Sequence, residues 1–217
     1  MSKGPVINVL VLSVAIIIGA SSYVVRAAGR NADQGLVANV DMARVFAESD
    51  VRKGIEKNIQ EFGSNLGKHF DEIARTPYLT ADEISDYSAA LNAEKPTDND
   101  KKKIDAIKVE SGKRADEAQK LSTAKAPTAA EQARIRELDN MQRQRPVYLD
   151  RLQKIYQQAM DEEEQKRTRA GLAEVRGIVG KMAKDQGFSQ VYDVTAMVYA
   201  PADLTEQAMH KTQTKKK

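Results

Sequence analysis

Apolar residues recur between Val51 and Ile73 with the spacing of one long helix. The steps between them are four, four, three, four, four and three residues, which is an eleven-residue repeat run twice. This repeat corresponds to about 3.67 residues per turn and favours a nearly straight helix with a single apolar stripe. Charged residues fill the positions between, so the stripe is narrow and needs a partner helix to cover it.

A second helical stretch begins at Val147 and ends before Gly187, whose residue type is common just after a helix end. Its apolar stripe is interrupted by the charged run 161–169. The arms 42–76 and 146–186 have comparable lengths, so we predict that they pair as a long antiparallel helical hairpin of the coiled-coil type. The two stripes together form the predicted arm seam: Val51, Ile55, Ile59, Phe62, Leu66, Phe70, Ile73, Leu152, Tyr156, Val175 and Val179.

The residues between the arms predict a capped helical insert, 77–145, at the far end of the hairpin. Proline disfavours helical backbone in the residue before it, so breaks are expected at Thr76–Pro77 and Arg145–Pro146. Three threonines stand three residues before an acidic residue, the pattern of a capping box, and predict helix starts. These threonines are Thr80, Thr97 and Thr128.

Short strand patterns lie at both ends of this helical region and predict a small β-rich head built from 36–46 and 187–210. Strands are expected over 36–40, from Phe188 to Val194 and over 197–199, followed by a short helix at 203–209. So few strands cannot bury both faces of a sheet, so we expect other copies of the chain to complete the head. The predicted head and oligomerisation residues are Val37, Val40, Val191, Val194, Met197, Val198 and Tyr199.

The segment from Val6 to Val25 contains no charged residue, with Lys3 before it and Arg26 after it. This layout fits a secretory signal peptide within 1–30, and it also fits a retained transmembrane anchor over 6–25. Both alternatives place the rest of the chain outside the cytoplasm, in the periplasm or cell envelope. Membrane-segment positions are Val6, Leu10, Val14, Ile18 and Val25.

Composition argues against several classes of site. The net charge is only +3 with basic and acidic residues interleaved, which is unlike the basic stripe of a nucleic-acid-binding protein. Cysteine is absent, and His69 and His210 are isolated on charged helices, so no metal site is indicated. With 5% aromatic and 30% charged residues the expected core is thin. We therefore expect no cofactor, no metal, no catalytic residues and no enzyme activity.

The head segments resemble those of the Skp/OmpH periplasmic chaperones. Residues 37–46 are similar to the opening strand and helix start of that family, 187–194 to its closing strand, and 196–205 to its last hairpin and final helix. The resemblance implies a mainly α homotrimer with a small β head and three helical tentacles. Such trimers hold unfolded outer-membrane proteins without ATP. The proline-punctuated insert and the possible anchor depart from the family pattern.

Two functions follow as expectations. The first is an ATP-independent holdase that binds unfolded envelope or outer-membrane proteins outside the cytoplasm. The alternative is a membrane-anchored coiled-coil structural or scaffolding subunit of an envelope complex, with the insert as a docking module. The first amino-acid residue of the mature protein discriminates between them, because cleavage near Ala27 would release a soluble chaperone.

Overall fold

The computed structural model describes residues 36–93, 95–197 and 199–213. In these ranges the protein is mainly helical with a small parallel sheet, in agreement with the predicted class. It divides into two compact units. The head unit comprises 36–49 and the residues from 175 onward, and the arm unit comprises 50–174. The elements in chain order are β1 (Leu36–Val40), α1 (Met42–Glu48), α2 (Asp50–Arg75), α3 (Ala81–Leu91), α4 (Asp98–Ser122), α5 (Ala129–Asp185), β2 (Phe188–Asp193), β3 (Ala202–Asp203) and α6 (Thr205–Thr212).

The sheet of the head unit has β1 at its centre, with the strand order β2-β1-β3 and all pairings parallel. Ala38 of β1 lies opposite Val191 of β2 and Ala202 of β3. The ladder continues beyond the strands, because the Val194 amide donates to the Val40 carbonyl at 3.1 Å. The predicted strands over 36–40 and from Phe188 are therefore confirmed, the second ending at Asp193.

The third strand differs from the prediction. The sequence predicted strand and hairpin structure at 197–199, whereas β3 pairs only at Ala202–Asp203 and Tyr199 is 82% exposed. Parallel strands need a crossover connection between them, and here the residues after Asp193 provide it. The chain must return to the end of the sheet where β1 and β2 begin before β3 can pair parallel with β1. Met197 and Tyr199 therefore belong to a connection and not to a ladder, and Val198 lies outside the described residues.

The core of the head unit lies between the sheet and its helices. Val45 and Phe46 of α1 are buried, and α1 packs against α6, where Ala208 and Met209 are buried. The Asp41 carboxylate caps α1 by accepting the Arg44 amide at 2.9 Å. The Asp41 amide donates in turn to the Thr205 hydroxyl at 2.9 Å, which joins the starts of α1 and α6.

The first arm does not form one uninterrupted helix over 42–76. The helix is broken at Ser49, whose backbone is extended (ψ 152°) and whose hydroxyl donates to the Phe46 carbonyl at 2.7 Å. Ser49 is fully buried. A serine that bonds a nearby carbonyl competes with the helical backbone, so α1 ends here and α2 starts at Asp50.

The core of the arm unit brings together side chains from α2, α3, α4 and α5. It consists of Leu66, Ile73, Leu79, Ile84, Tyr87, Ile107, Leu152 and Tyr156. The three predicted helix starts are confirmed. Thr80 and Thr97 form complete capping boxes at α3 and α4. At α5 the Thr128 hydroxyl accepts the Glu131 amide at 3.3 Å, and the Glu131 carboxylate accepts the Thr128 amide at 2.7 Å.

The predicted break at Arg145–Pro146 does not occur, because α5 runs for 57 residues with Pro146 inside it. Proline removes one helical hydrogen bond, the one that would reach the Gln142 carbonyl. Pro146 is exposed to water, and buried Leu138 and Leu152 anchor the helix on either side. Tertiary packing therefore holds together a helix that the local sequence disfavours.

Candidate functional site

The predicted head residues do not all lie in the same environment. Val40 and Val191 are buried in the core of the head unit, whereas Val37, Val194 and Met197 are half-buried. Tyr199 projects into solvent, and Val198 lies outside the described residues. The buried pair therefore serves the fold of one chain, while the half-buried and exposed members remain accessible from outside it.

The membrane-segment positions Val6, Leu10, Val14, Ile18 and Val25 also lie outside the described residues. Across the part of the chain that is described, no helix has both the length and the hydropathy for crossing a bilayer.

The arm seam of α2 is only partly covered. Ile55, Leu66 and Ile73 are buried. The other members, Val51, Ile59, Phe62 and Phe70, are half-buried, and Phe62 and Phe70 pack against the core of the arm unit with part of their surface still accessible. Along its length α2 therefore presents accessible apolar side chains, spaced by one or two helical turns.

The remaining seam residues are divided between the two units. Leu152 and Tyr156 of α5 are buried in the core of the arm unit. Val175 and Val179, also predicted as arm seam, are buried in the head unit instead, which includes the chain from Val175 onward. The charged run 161–169 separates the two apolar parts of α5, so each part serves its own core.

Two contacts place α5 beside α2 in the arm unit. A Cβ added to Gly63 of α2 would lie 3.0 Å from Cε of Met160. At the end of α2, the Arg145 guanidinium donates to the Ala74 carbonyl and, at 3.3 Å, to the Thr76 carbonyl. The contact positions advance along α2 as they retreat along α5, so the two helices run in opposite directions here.

Tyr156 of α5 is tied to α3 by hydrogen bonds. Its hydroxyl lies 3.0 Å from the Ser88 hydroxyl and accepts from Nδ2 of Asn92 at 2.9 Å. The Asn92 side-chain oxygen lies 2.9 Å from Nδ1 of His69 on α2. His69, predicted to be an isolated residue, therefore belongs to a polar chain that joins α2, α3 and α5.

A second polar group surrounds Glu72 of α2. Its carboxylate accepts from Nζ of Lys108 at 2.7 Å and from the hydroxyl of buried Tyr87 at 2.9 Å. The Lys108 hydrogen bond is the main reason that the pKa of Glu72 lies below its ordinary value. Burial, followed by the hydrogen bond to Glu72, raises the pKa of Tyr87. The group therefore holds a carboxylate, an ammonium and a neutral phenol, which stabilises the packing of α2 with α3 and α4.

The third polar group joins α3 to α4. Arg114 donates to both carboxylate oxygens of Glu83, which also completes the cap of α3 by accepting the Thr80 amide at 2.9 Å. Burial raises the pKa of Glu83, but the bonds from Arg114 and Thr80 outweigh it, and the pKa lies below the ordinary value. Arg114, Glu83 and Thr80 therefore satisfy one another's hydrogen-bonding groups.

The packing of the insert against the arms was not predicted from the sequence. Leu79, Ile84, Tyr87 and Ile107 are among the most buried residues of the arm unit. A signal was present, because Ile84, Tyr87 and Leu91 recur at the spacing of one helix face. The insert is thus a helical module packed on the arm helices.

The clefts of the described residues are open and lined by charged side chains. One groove of about 440 Å³ lies on α2 beside Lys68, Asp71, Glu72, Arg75 and Thr76. It is formed by one helix and the residue that follows it, so it does not exclude water as ligand pockets usually do. No cluster of three or more acidic or histidine side chains suited to a metal ion occurs among the described residues.

Comparison with protein-family models, curated proteins and solved structures found no significant match. The resemblance to Skp/OmpH chaperones therefore stays a prediction.

Proposed function

We propose that this protein is an ATP-independent holdase that binds unfolded envelope or outer-membrane proteins outside the cytoplasm. The observation that carries the proposal is the half-buried seam of α2. Val51, Ile59, Phe62 and Phe70 offer apolar contact area between charged side chains without forming a closed pocket. An unfolded chain can engage several such positions weakly at once, and the weak contacts together supply affinity by multivalency.

The antiparallel contacts between α2 and α5 support the architecture that this role requires. We infer that the two helices continue as a coiled-coil hairpin and that several head units associate, as the family resemblance implies, into a trimer. Half-buried Val37, Val194 and Met197 and exposed Tyr199 are the head residues with area left to contribute to such an interface. The mass of the detergent-free fragment from Ala32 onward tests the trimer. A monomer would contradict this part of the proposal.

Aggregation of an unfolded β-barrel protein tests the holdase role directly. The fragment from Ala32 onward is added as denaturant is diluted, and light scattering is followed without ATP. We expect suppression at molar excess, and weaker suppression by the Val51→Ser, Ile59→Ser variant. Asn58→Ser, Asn65→Ser on the same helix is the matched control, since both asparagines are exposed. Unchanged aggregation with the unmodified fragment would refute the proposal.

A structural subunit is the second candidate, and the ordered insert favours it. Tyr87 and Leu79 are at most 1% exposed, and Ser111 donates to the Pro77 carbonyl at 2.5 Å, so α3 and α4 form a defined module and not a flexible tip. Such a module suits docking to a folded partner. Sequencing the N-terminus of the mature protein separates the candidates. A start near Ala28 favours the chaperone, and an intact Met1 or Ser2 favours an anchored scaffold.

A further inference from the structure

The middle of α5 carries a ridge of side chains at every fourth position, formed by Arg143, Val147, Arg151 and Ile155 and here called the α5 ridge. All four are exposed. Residues four apart on a helix are surface neighbours, so these side chains form one continuous row in which guanidinium and aliphatic groups alternate. Val147 and Ile155 are 55% and 53% exposed and are the large hydrophobic residues of α5 that remain most open to water in the described part of the chain.

The guanidinium groups of the α5 ridge are not neutralised by the described residues. Arg114, Arg134 and Arg167 each reach a carboxylate at 2.7 or 2.8 Å. By contrast, no described carboxylate lies within ion-pair distance of Arg143 or Arg151.

The acidic residues beside the ridge do not change this. Asp150 is held by Nζ of Lys154 at 2.8 Å. Asp139, one turn before Arg143, makes no ion pair with it. The ridge therefore combines guanidinium groups that make no ion pair within the described residues with exposed aliphatic surface.

We propose that the α5 ridge is a docking site for an acidic amphipathic helix of a partner protein. Four residues of helix span about 6 Å, so a partner helix with carboxylates and aliphatic side chains alternating at every fourth position repeats at the same distance. Each guanidinium then faces a carboxylate, with which it can form two parallel hydrogen bonds. Val147 and Ile155 are covered by the aliphatic groups in between.

Charge complementarity and spacing favour this occupant over others. Same-face side chains of an extended segment repeat at about 6.8 Å, so over the three steps of the ridge they drift by about 2.4 Å from its spacing of about 6 Å. A nucleic acid or an anionic lipid surface would neutralise the arginines, but it would not match aliphatic groups placed between them. This inference goes beyond the proposed holdase role and does not depend on it.

A designed peptide and the full chain in a zwitterionic detergent test the proposal. The labelled peptide is helical, with Glu and Leu alternating at every fourth position, and its binding is followed by fluorescence anisotropy. Exposed ion pairs are individually weak, so we expect weak but saturable binding. Arg143→Glu, Arg151→Glu is expected to weaken it by at least about tenfold, and Val147→Ser, Ile155→Ser by a smaller factor.

The control variant is Arg169→Glu, Lys181→Glu, which makes the same charge change at exposed positions of α5 outside the ridge. It should bind the peptide like the unmodified chain. Thermal melting of every variant checks that folding is retained. The surface residues of the ridge can also be exchanged singly if a double variant unfolds.

The proposal is overturned by any of three results. The first is an equal loss of peptide binding in the control and ridge variants. The second is equal binding of a matched peptide whose leucines are replaced by serine or whose helix is broken by proline. The third is ridge-dependent binding to vesicles of anionic lipid, or to duplex nucleic acid, that is tighter than binding to the peptide. Because aggregation suppression does not enter these readouts, failure of the holdase role and failure of this site are distinguishable.

Discussion

Arg114 of α4 holds the carboxylate of Glu83 on α3 with two hydrogen bonds, of 2.7 and 3.0 Å. The same guanidinium donates to the Tyr78 carbonyl at 2.9 Å. Tyr78 has a φ of 49°, a left-handed conformation that residues with a Cβ seldom adopt. Arg114 thus fixes both the start of α3 and the strained turn before it, so this pair is central to the order of the insert.

Glu83→Gln should destabilise the arm unit and weaken its dependence on pH. The folded-state pKa of Glu83 is lowered, so its charge contributes stability above the ordinary value of 4.5. That contribution is lost as the pH falls through the folded-state value. We expect the variant to lose about 1–3 kcal/mol of unfolding free energy at pH 7 and less at pH 3.5. Urea melts at both pH values measure this.

Asp82→Asn provides the control for this experiment, because Asp82 is an exposed acidic residue of the same helical turn. It should leave most of the pH dependence in place. Glu72, whose pKa is also lowered, contributes with the same sign, so some acid sensitivity is expected to remain in Glu83→Gln. Identical acid sensitivity in the unmodified protein and in Glu83→Gln would contradict the assignment.

Glycines 63 and 67 of α2 should respond differently to substitution. A Cβ at Gly67 would meet nothing within 4 Å, so Gly67→Ala should raise the unfolding free energy by about 0.5–1 kcal/mol through helix propensity alone. At Gly63 the added Cβ would lie 3.0 Å from Cε and 3.2 Å from Sδ of Met160. Gly63→Ala should therefore gain less, and Gly63→Leu should lose about 1–3 kcal/mol.

A double-mutant cycle with Met160→Ala locates the cause of that difference. Chemical unfolding of the four variants gives the coupling energy between the two positions. We expect Met160→Ala to relieve most of the penalty of Gly63→Leu, because it empties the space that the leucine requires. Independent, additive effects would mean that α2 and α5 do not meet at these residues.

Pro146→Ala should stabilise the arm unit. Alanine restores the amide that can donate to the Gln142 carbonyl, and proline inside a helix costs about 3 kcal/mol. Because packing around α5 already offsets part of this cost, a gain of about 1–3 kcal/mol is expected in urea unfolding. Pro127→Ala is the matched control, since Pro127 precedes the cap residue Thr128 and interrupts no helix. No gain relative to this control would argue against an unbroken α5.

Gly187→Ala should destabilise the head unit, because Gly187 has a φ of +83° after the last turn of α5. A residue with a Cβ in this conformation costs about 1–2 kcal/mol. Gly177→Ala, also in this unit, is the control and should be neutral or stabilising, because its added Cβ meets nothing within 4 Å inside the helix. Thermal melting of both variants measures the contrast. Equal effects would mean that Gly187 is not needed for its backbone freedom.

The sequence was informative where a few neighbouring residues determine the structure. Thr80, Thr97 and Thr128 each satisfy helix amides within three residues, so their capping boxes could be predicted from spacing alone. Pro146 was misinterpreted because its local cost is outweighed by the burial of Leu138 and Leu152 on either side of it. The core in which Leu152 is buried includes residues of other helices, which the sequence around Pro146 does not reveal. Local signals predict local structure, and tertiary packing can override them.

The two candidate binding surfaces, the stripe of α2 and the α5 ridge, also differ in how far local sequence predicts them. The stripe of α2 was evident from its spacing, but the half-burial of Val51 and Phe70 depends on tertiary packing that the spacing does not give. The α5 ridge was not predicted, because a row of arginines and aliphatic residues has meaning only once the buried side of the helix is known. Arg145, two positions from Arg143, faces the end of α2 instead of solvent.

The central position of β1 determines when the head can fold. Its partner strand β2 begins only at Phe188, after all residues of the arm unit in the sequence. The Asp41 amide donates to the hydroxyl of Thr205, 164 residues further along the chain. At about 5–20 residues per second, a growing polypeptide needs on the order of 10–30 s to deliver that hydroxyl. Throughout this time the opening strand has no sheet to join, whereas α2, α3 and α4 can already assemble. Residues near Thr205 therefore complete a structure whose first strand was synthesised long before them.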